Sequence, residues 1–220
     1  MWLSARGWRL LTVVLFSSLA CARPAPPPGP TPVPQPPEIS DLPGRGVAIQ
    51  GHGTATTDDV TPQYTGGLAI GIDVVTLTHD GQSTFIVNSV QNDQSEQLTS
   101  AIGAYKGQRP LVVEGPVSFQ VTADGAWTIR ITQMSSGGKP PFSGSGDAVS
   151  PYFSPPDAGT WNISHDGQSS FFVYAHCLSG SIVVEDRTGP FQDSPRVEFG
   201  RGPCFWEVRA DGAWSMAPAP

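Results

Sequence analysis

Charge is scarce in this chain, cysteine is scarcer, and helical periodicity is missing; each shortage closes off a class of protein. Only 14% of the 220 residues are charged, and acids outnumber bases for a net charge of −7. No basic stripe is present, so neither a phosphate backbone nor an anionic membrane face finds a partner, and nucleic acid is excluded. Three cysteines are too few for a disulfide-dense scaffold, and they lack the close spacing of a zinc site. No apolar run reaches the roughly 20 residues of a permanent membrane helix. No segment sustains the 3.6-residue apolar period of a buried helix either. The chain also has no Gly-x-Ser-x-Gly elbow and no Asp-x-Asp-x-Asp run.

What is abundant is glycine, with 25 residues, and proline, with 23. The prolines crowd into residues 23–43, as in Pro26-Pro27-Pro28 and Pro36-Pro37. Proline fixes φ and removes a donor, so residues 21–44 read as a disordered linker of extended character. Residues 1–20 read as a signal peptide. Arg6 and Arg9 form its basic start, and Leu10 to Phe16 its short apolar core. Two cleavages compete. Ser18-Leu19-Ala20-Cys21 resembles a lipobox, with Ser18 where an aliphatic residue is usual, and would make Cys21 the site of lipidation. Ala20-Cys21-Ala22 also fits ordinary small-x-small cleavage, which would release a secreted protein. A proline stalk of some twenty residues, reaching roughly 60 Å, favours the lipid anchor. The expected location is the cell envelope, with the membrane contacted through Cys21.

The remaining residues carry one phrase twice. His79-Asp80-Gly81-Gln82-Ser83-Thr84-Phe85 recurs as His165-Asp166-Gly167-Gln168-Ser169-Ser170-Phe171. Ala123-Asp124-Gly125-Ala126-Trp127 recurs as Ala210-Asp211-Gly212-Ala213-Trp214. The offsets are 86 and 87, so a domain is duplicated. Gly51-His52-Gly53 and Gly144-Ser145-Gly146 mark its earlier start. Repeat 1 is placed at 45–135 and repeat 2 at 140–217, joined by Gly137-Gly138-Lys139-Pro140-Pro141.

Each repeat reads as strands. Phe85, Val87 and Ser89 alternate with Thr84, Ile86 and Asn88, and Val117, Phe119 and Val121 alternate with Ser118, Gln120 and Thr122. In the copy, Cys204, Trp206 and Val208 fall on one face and Phe205, Glu207 and Arg209 on the other. Period two with β-branched and aromatic residues means strands with one buried face. Asp-Gly between strands signals a tight hairpin, so Val74–Thr78 is expected to pair with Ser83–Val90, and Val117–Thr122 with Ala126–Ile131. Trp127 and Trp214 are expected core anchors. The expected fold is all-β: two tandem antiparallel β-sandwich domains of jelly-roll type. Cys177 and Cys204 point inward from neighbouring strands and are expected to form a disulfide, which contributes about 3 kcal/mol through loop-closure entropy.

Four chemistries compete for the remaining residues. His79, Asp80 and Ser83, with His165, Asp166 and Ser169, suggest a hydrolase. Adjacent strand residues face opposite ways, however, and a duplicated turn is better used as architecture. Asp58-Asp59, Asp93, Asp157, Asp186 and Asp193 are loop acids of the type calcium uses, without its ligand spacing. His52, His79, His165 and His176 are scattered. Tyr64, Tyr105, Tyr152, Phe153 and Phe191 are ring candidates for stacking on a glycan, with Tyr105 and Tyr152 the candidate ligand contacts. Tyr105 and Phe191 match across the repeats, which favours packing. Asn162-Ile163-Ser164 matches a glycosylation acceptor only by chance, in a strand. No cofactor and no metal is expected.

The combination of a strand ending in His-Asp-Gly-x-Ser-x-Phe, a Gly-aromatic step and a closing Ala-Asp-Gly-x-Trp resembles a tandem β-sandwich repeat of uncharacterised bacterial secreted proteins and lipoproteins. The resemblance covers residues 45–217 and implies a module, not an activity. The function expected is therefore a non-catalytic envelope lipoprotein acting in binding, adhesion or scaffolding, with an envelope protein or glycan as partner. The alternatives are a secreted carbohydrate-binding module and a hydrolase.

Overall fold

The computed structural model describes residues 35–43, 46–62 and 71–220. The leader, Cys21, most of the proline run and Tyr64 lie outside the described residues. Among the described residues every element is a strand, and the fold is all-β: two antiparallel sandwiches in tandem.

Repeat 1 stacks two sheets. One carries β1 (Glu38–Leu42), β2 (Gly46–His52), β9 (Ala126–Gln133), β4 (Ile72–His79) and β7 (Tyr105–Val112), in that spatial order. The other carries β3 (Ala55–Thr56), β8 (Ser118–Thr122), β5 (Thr84–Gln91) and β6 (Gln94–Ile102). Strand β1 corrects the expected linker. Residues from Glu38 onward are not a disordered stalk but an edge strand, paired with β2 from Glu38↔Gln50 to Leu42↔Gly46. Repeat 2 follows the same plan. Its sheets are β10 (Phe142–Ser145), β18 (Ala213–Pro218), β12 (Ala158–His165) and β15 (Phe191–Asp193), and β11 (Ala148–Val149), β17 (Cys204–Arg209), β13 (Ser170–Cys177) and β14 (Gly180–Thr188). Strand β16 (Arg196–Glu198) continues the edge beside β12.

The alternation places the core as expected. Phe85, Val87, Phe119, Val121, Trp127 and Ile129 are buried in the first sandwich. Phe171, Val173, Trp206, Val208, Trp214 and Met216 are buried in the second. Burying each large side chain contributes roughly 1.5–3 kcal/mol. Phe153, read as a loop ring, is instead core: it packs against Phe142, Trp161, Phe199 and Trp206.

The expected Asp-Gly hairpins do not form. Strand β4 pairs with β7 and β9, whereas β5 pairs with β6 and β8 in the opposite sheet. Asp80-Gly81 and Asp124-Gly125 are therefore arches that carry the chain from one sheet to the other. The tight hairpin lies at Asn92-Asp93, both with positive φ (48° and 60°). None of the four Asp-Gly glycines has positive φ.

The two arches of a repeat clasp each other. Asp124 Oδ2 accepts the backbone N–H groups of Gln82 (3.1 Å) and Ser83 (3.0 Å). In return, Asp80 Oδ1 accepts the N–H of Ala126 at 2.7 Å. His79 donates from Nδ1 to the Gly103 carbonyl at 2.9 Å, its Nε2 lies 3.2 Å from Asp124 Oδ1, and its ring stacks on Phe85 at 4.6 Å. The Nε2 contact is not aligned as a hydrogen bond and is electrostatic. Gly81 is required because a Cβ there would land on the Asp124 carboxylate and the His79 ring. Repeat 2 reproduces each contact. Asp211 holds Gln168 and Ser169 at 2.9 Å, Asp166 holds Ala213 at 2.7 Å, and His165 stacks on Phe171 at 4.5 Å. Trp127 and Trp214 donate their indole N–H to Gly53 and Gly146, over Gly51 and Gly144.

Cys177 and Cys204 face each other across β13 and β17 and form a disulfide, with Cα atoms 4.1 Å apart.

The linker between the repeats is tied to Tyr152. Gly138 donates to Tyr152 O and Tyr152 to Ser135 O. The repeats also share a seam. Val74 and Met134 pack with Phe205, beside Tyr152. Asp147 accepts from Tyr105 Oη at 2.7 Å and from Ala210 N at 3.0 Å, and its carbonyl accepts from Gln108 N. Phe205 and Glu207, expected on an exposed strand face, are buried because repeat 1 covers that face.

The clasp makes a stability prediction. Gly81→Ala and Gly167→Ala should each cost about 1–3 kcal/mol, from overpacking against a carboxylate and an imidazole. Desolvation works to raise Asp124 and Asp211, but the paired amides and the neighbouring histidine outweigh it and hold both below the usual aspartate range. Their contribution is then complete above about pH 4 and drains away as pH falls through the folded values. Thermal melts of Asp124→Asn and Asp211→Asn should show a Tm a few degrees lower at neutral pH and a flatter acid limb. Variants whose Tm and acid limb both match the unsubstituted protein's would contradict the clasp.

Candidate functional site

The duplicated histidines are locked into the clasps of their own repeats. The side chains of His79 and His165 are fully buried, and each ring is held by a backbone carbonyl and an aspartate of its own repeat. Ser83 and Ser169 meet those aspartates through backbone N–H groups. The aspartates belong to the other arch of the repeat, so Asp80 and Asp166 serve a distant amide rather than their own turn. Asp186 and Asp193, read as loop acids, lie in strands β14 and β15. Among the described residues, no three His, Cys, Asp or Glu side chains converge as metal ligands.

A cleft opens beside the seam, with a volume of about 800 Å³. Strands β13 and β17 give it Tyr174, His176, Phe205, Glu207 and Arg209, and the hairpin between β13 and β14 gives Leu178. Repeat 1 contributes Ile72, Pro110, Val112 and Glu96. Tyr152 and Pro203 line it and also line a smaller hollow of about 410 Å³ beyond. Of the two expected ligand contacts, only Tyr152 is here. Tyr105 lies in the seam against Phe85, with its hydroxyl on Asp147; burial and that carboxylate push its phenol up.

The polar floor centres on Glu207. Arg109 Nη1 and Arg209 Nε reach its Oε1 at 3.1 and 3.0 Å, and His176 Nε2 reaches Oε2 at 2.9 Å. Burial works to raise this carboxyl, but the His176 hydrogen bond and the two guanidiniums outweigh it and hold it at about 2. Nearby Asp73 is buried and is pushed up to about 6 by desolvation. Rings complete the floor. His176 stacks on Phe205 at 4.8 Å, Tyr152 meets Phe205 edge-on at 5.6 Å, and the Arg209 guanidinium lies 5.4 Å from the Tyr174 ring.

Ser181 Oγ stands 2.6 Å from His176 Nδ1, which completes a Ser–His–Glu chain. His176 shares the Glu207 carboxylate with two guanidiniums. Ser181 and His176 are direct cross-strand neighbours, which is sufficient reason for their contact.

Sequence reasoning missed this cleft because it looked to loops. The signal was on strands: where repeat 2 has Tyr174, His176, Phe205, Glu207 and Arg209, repeat 1 has Asn88, Val90, Ser118, Gln120 and Thr122. The architecture does not need these five residues twice.

No family model matches the chain, and no curated protein matches it. Among solved structures, the insecticidal delta-endotoxin Cry8Ea1 from Bacillus thuringiensis is similar over 84% of this chain at 11% identity, with a TM-score of 0.23. The chain spans about half (51%) of that protein's length. A likeness this distant carries no argument about function.

Glu207 should be the costliest polar residue to remove. Glu207→Gln leaves Arg109, 7% exposed, without its carboxylate and should cost roughly 3–5 kcal/mol in denaturant unfolding. Arg209→Gln, at a side chain 44% exposed, should cost under about 1 kcal/mol. The Glu207 contribution is complete above about pH 4.3 and is lost as pH falls toward 2. Equal losses in the two variants would contradict this reading of the floor.

Proposed function

We propose that this protein is an exported, non-catalytic binding module of the bacterial cell envelope, held to the membrane by a lipid on Cys21. One observation carries the binding role: the cleft beside the seam, sized for a single ligand and lined by residues that the duplicated fold does not require. The cell-envelope part rests on the leader, the lipobox-like Ser18-Leu19-Ala20-Cys21 and the proline run behind it. The resemblance to tandem sandwich repeats of secreted proteins and lipoproteins supports the same reading. The cross-strand disulfide suits an oxidising compartment.

Two measurements test the proposal. Intact mass of the membrane fraction should give a diacylglyceryl-modified chain beginning at Cys21, which globomycin abolishes; a chain beginning at Arg23 would remove the anchor. A fluorophosphonate probe should leave Ser181, Ser83 and Ser169 unlabelled. Stoichiometric labelling of Ser181, lost in Ser181→Ala, would replace the binding module with a hydrolase.

A further inference from the structure

We propose that the cleft between the repeats binds an uncharged glycan, with Tyr174 and Tyr152 as stacking rings and Arg209 as the principal hydrogen-bond donor. This inference rests on the cleft being a binding site and names what enters it.

Charge is the first argument. The two guanidiniums at the floor, Arg109 and Arg209, are both committed to Glu207, and Glu96 lines the cleft as a further carboxylate. Positive and negative groups cancel within the site. An anionic ligand would meet the Glu207 and Glu96 carboxylates and approach an acidic protein; a cation would have to compete with the arginines for those carboxylates. A neutral ligand disturbs none of these pairs.

Chemistry of the lining is the second. A purely apolar ligand would bury the free N–H groups of Arg209 and the Glu96 carboxylate without partners, at a cost for each. A hydroxyl both donates and accepts, so a ring bearing several of them can answer guanidinium, carboxylate and serine at once. The same ring presents C–H faces to aromatic side chains and to the aliphatic wall of Ile72, Pro110 and Val112. A pyranose has both properties. The volume, about 800 Å³, suits a short stretch of such rings.

The third argument is asymmetry. Repeat 1 carries Asn88 and Gln120 where repeat 2 carries Tyr174 and Glu207. The sandwich folds with either set, so the ringed and charged set answers to something outside the sandwich plan.

The test is calorimetric titration of the full-length protein with neutral gluco-, galacto- and manno-configured oligosaccharides and with uronate oligomers of matching length. At least one neutral series should bind, with Kd between micromolar and millimolar, and the uronates should bind at least tenfold more weakly or not at all. Tyr174→Ala and Arg209→Gln should each weaken binding tenfold or more, while Asn88→Ala and Gln120→Ala in repeat 1 leave it unchanged. If Tyr174→Ala fails to fold, Arg209→Gln decides. Tighter binding of uronates, no binding of any neutral series, or binding indifferent to Arg209→Gln would overturn the proposal. Failure with the Cys21 lipid present discards the glycan and keeps the envelope anchor; loss of the lipid with titration intact does the reverse.

Discussion

The whole architecture hangs on a reciprocal exchange of two carboxylates. In each repeat, one aspartate reaches across to the amides of the opposite arch, and a second reaches back. An arch between sheets is an exposed bend with few backbone partners of its own, and unpaired amides there would cost stability. Asp124 supplies the acceptor for Gln82 and Ser83, and Asp80 supplies it for Ala126. The two crossings are thereby fixed against each other, and with them the spacing of the sheets. His79 ties the clasp to the core by stacking on Phe85 and to the β6–β7 connection through Gly103. The duplicated phrases are the parts of this one device.

With that device assigned to structure, the residues that differ between the repeats gain meaning. The outer face of β13 and β17 is where the copies diverge most in chemistry. Part of that divergence serves the joint: Phe205 meets Val74 and Met134, and Glu207 meets Arg109. The rest, Tyr174 and the solvent side of Arg209, lies in open cleft. Joint and cleft are therefore built from one patch, and the carboxylate that holds the halves together also lines the cleft.

Much of the fold was legible because period two and duplication are strong signals. The buried sets around Phe85, Phe119, Phe171 and Trp206, the two tryptophans and the disulfide all follow from alternation. The pairing of strands was not legible. Asp-Gly commonly marks a hairpin, yet at Asp80-Gly81 the glycine is selected for close approach to a carboxylate, not for positive φ. A local signal cannot distinguish those two uses, because the partner sits more than forty residues away. The burial of Phe205 and Glu207 was hidden for a related reason: a strand's second face looks solvent-bound until another domain covers it. The cleft was half legible. Tyr152 stood out as a candidate ligand contact, while Arg209 read as an ordinary outward position of a strand and His176 as one of four scattered histidines.

The joint between the repeats is head-to-tail. Edge strand β7 of repeat 1 lies against the β11–β17 side of repeat 2, and nothing in that relation is two-fold. Such a contact, iterated, grows a filament. Differences at four positions within the duplication work against it. The outer face of repeat 1 offers Asn88, Ser118 and Gln120 instead of rings and a carboxylate, and Pro195 occupies the place in repeat 2 that corresponds to Arg109, splitting the edge into β15 and β16. Each end of the pair thus lacks the residues that the other repeat brings to the joint, as terminal units of solenoids lack those of the inner ones.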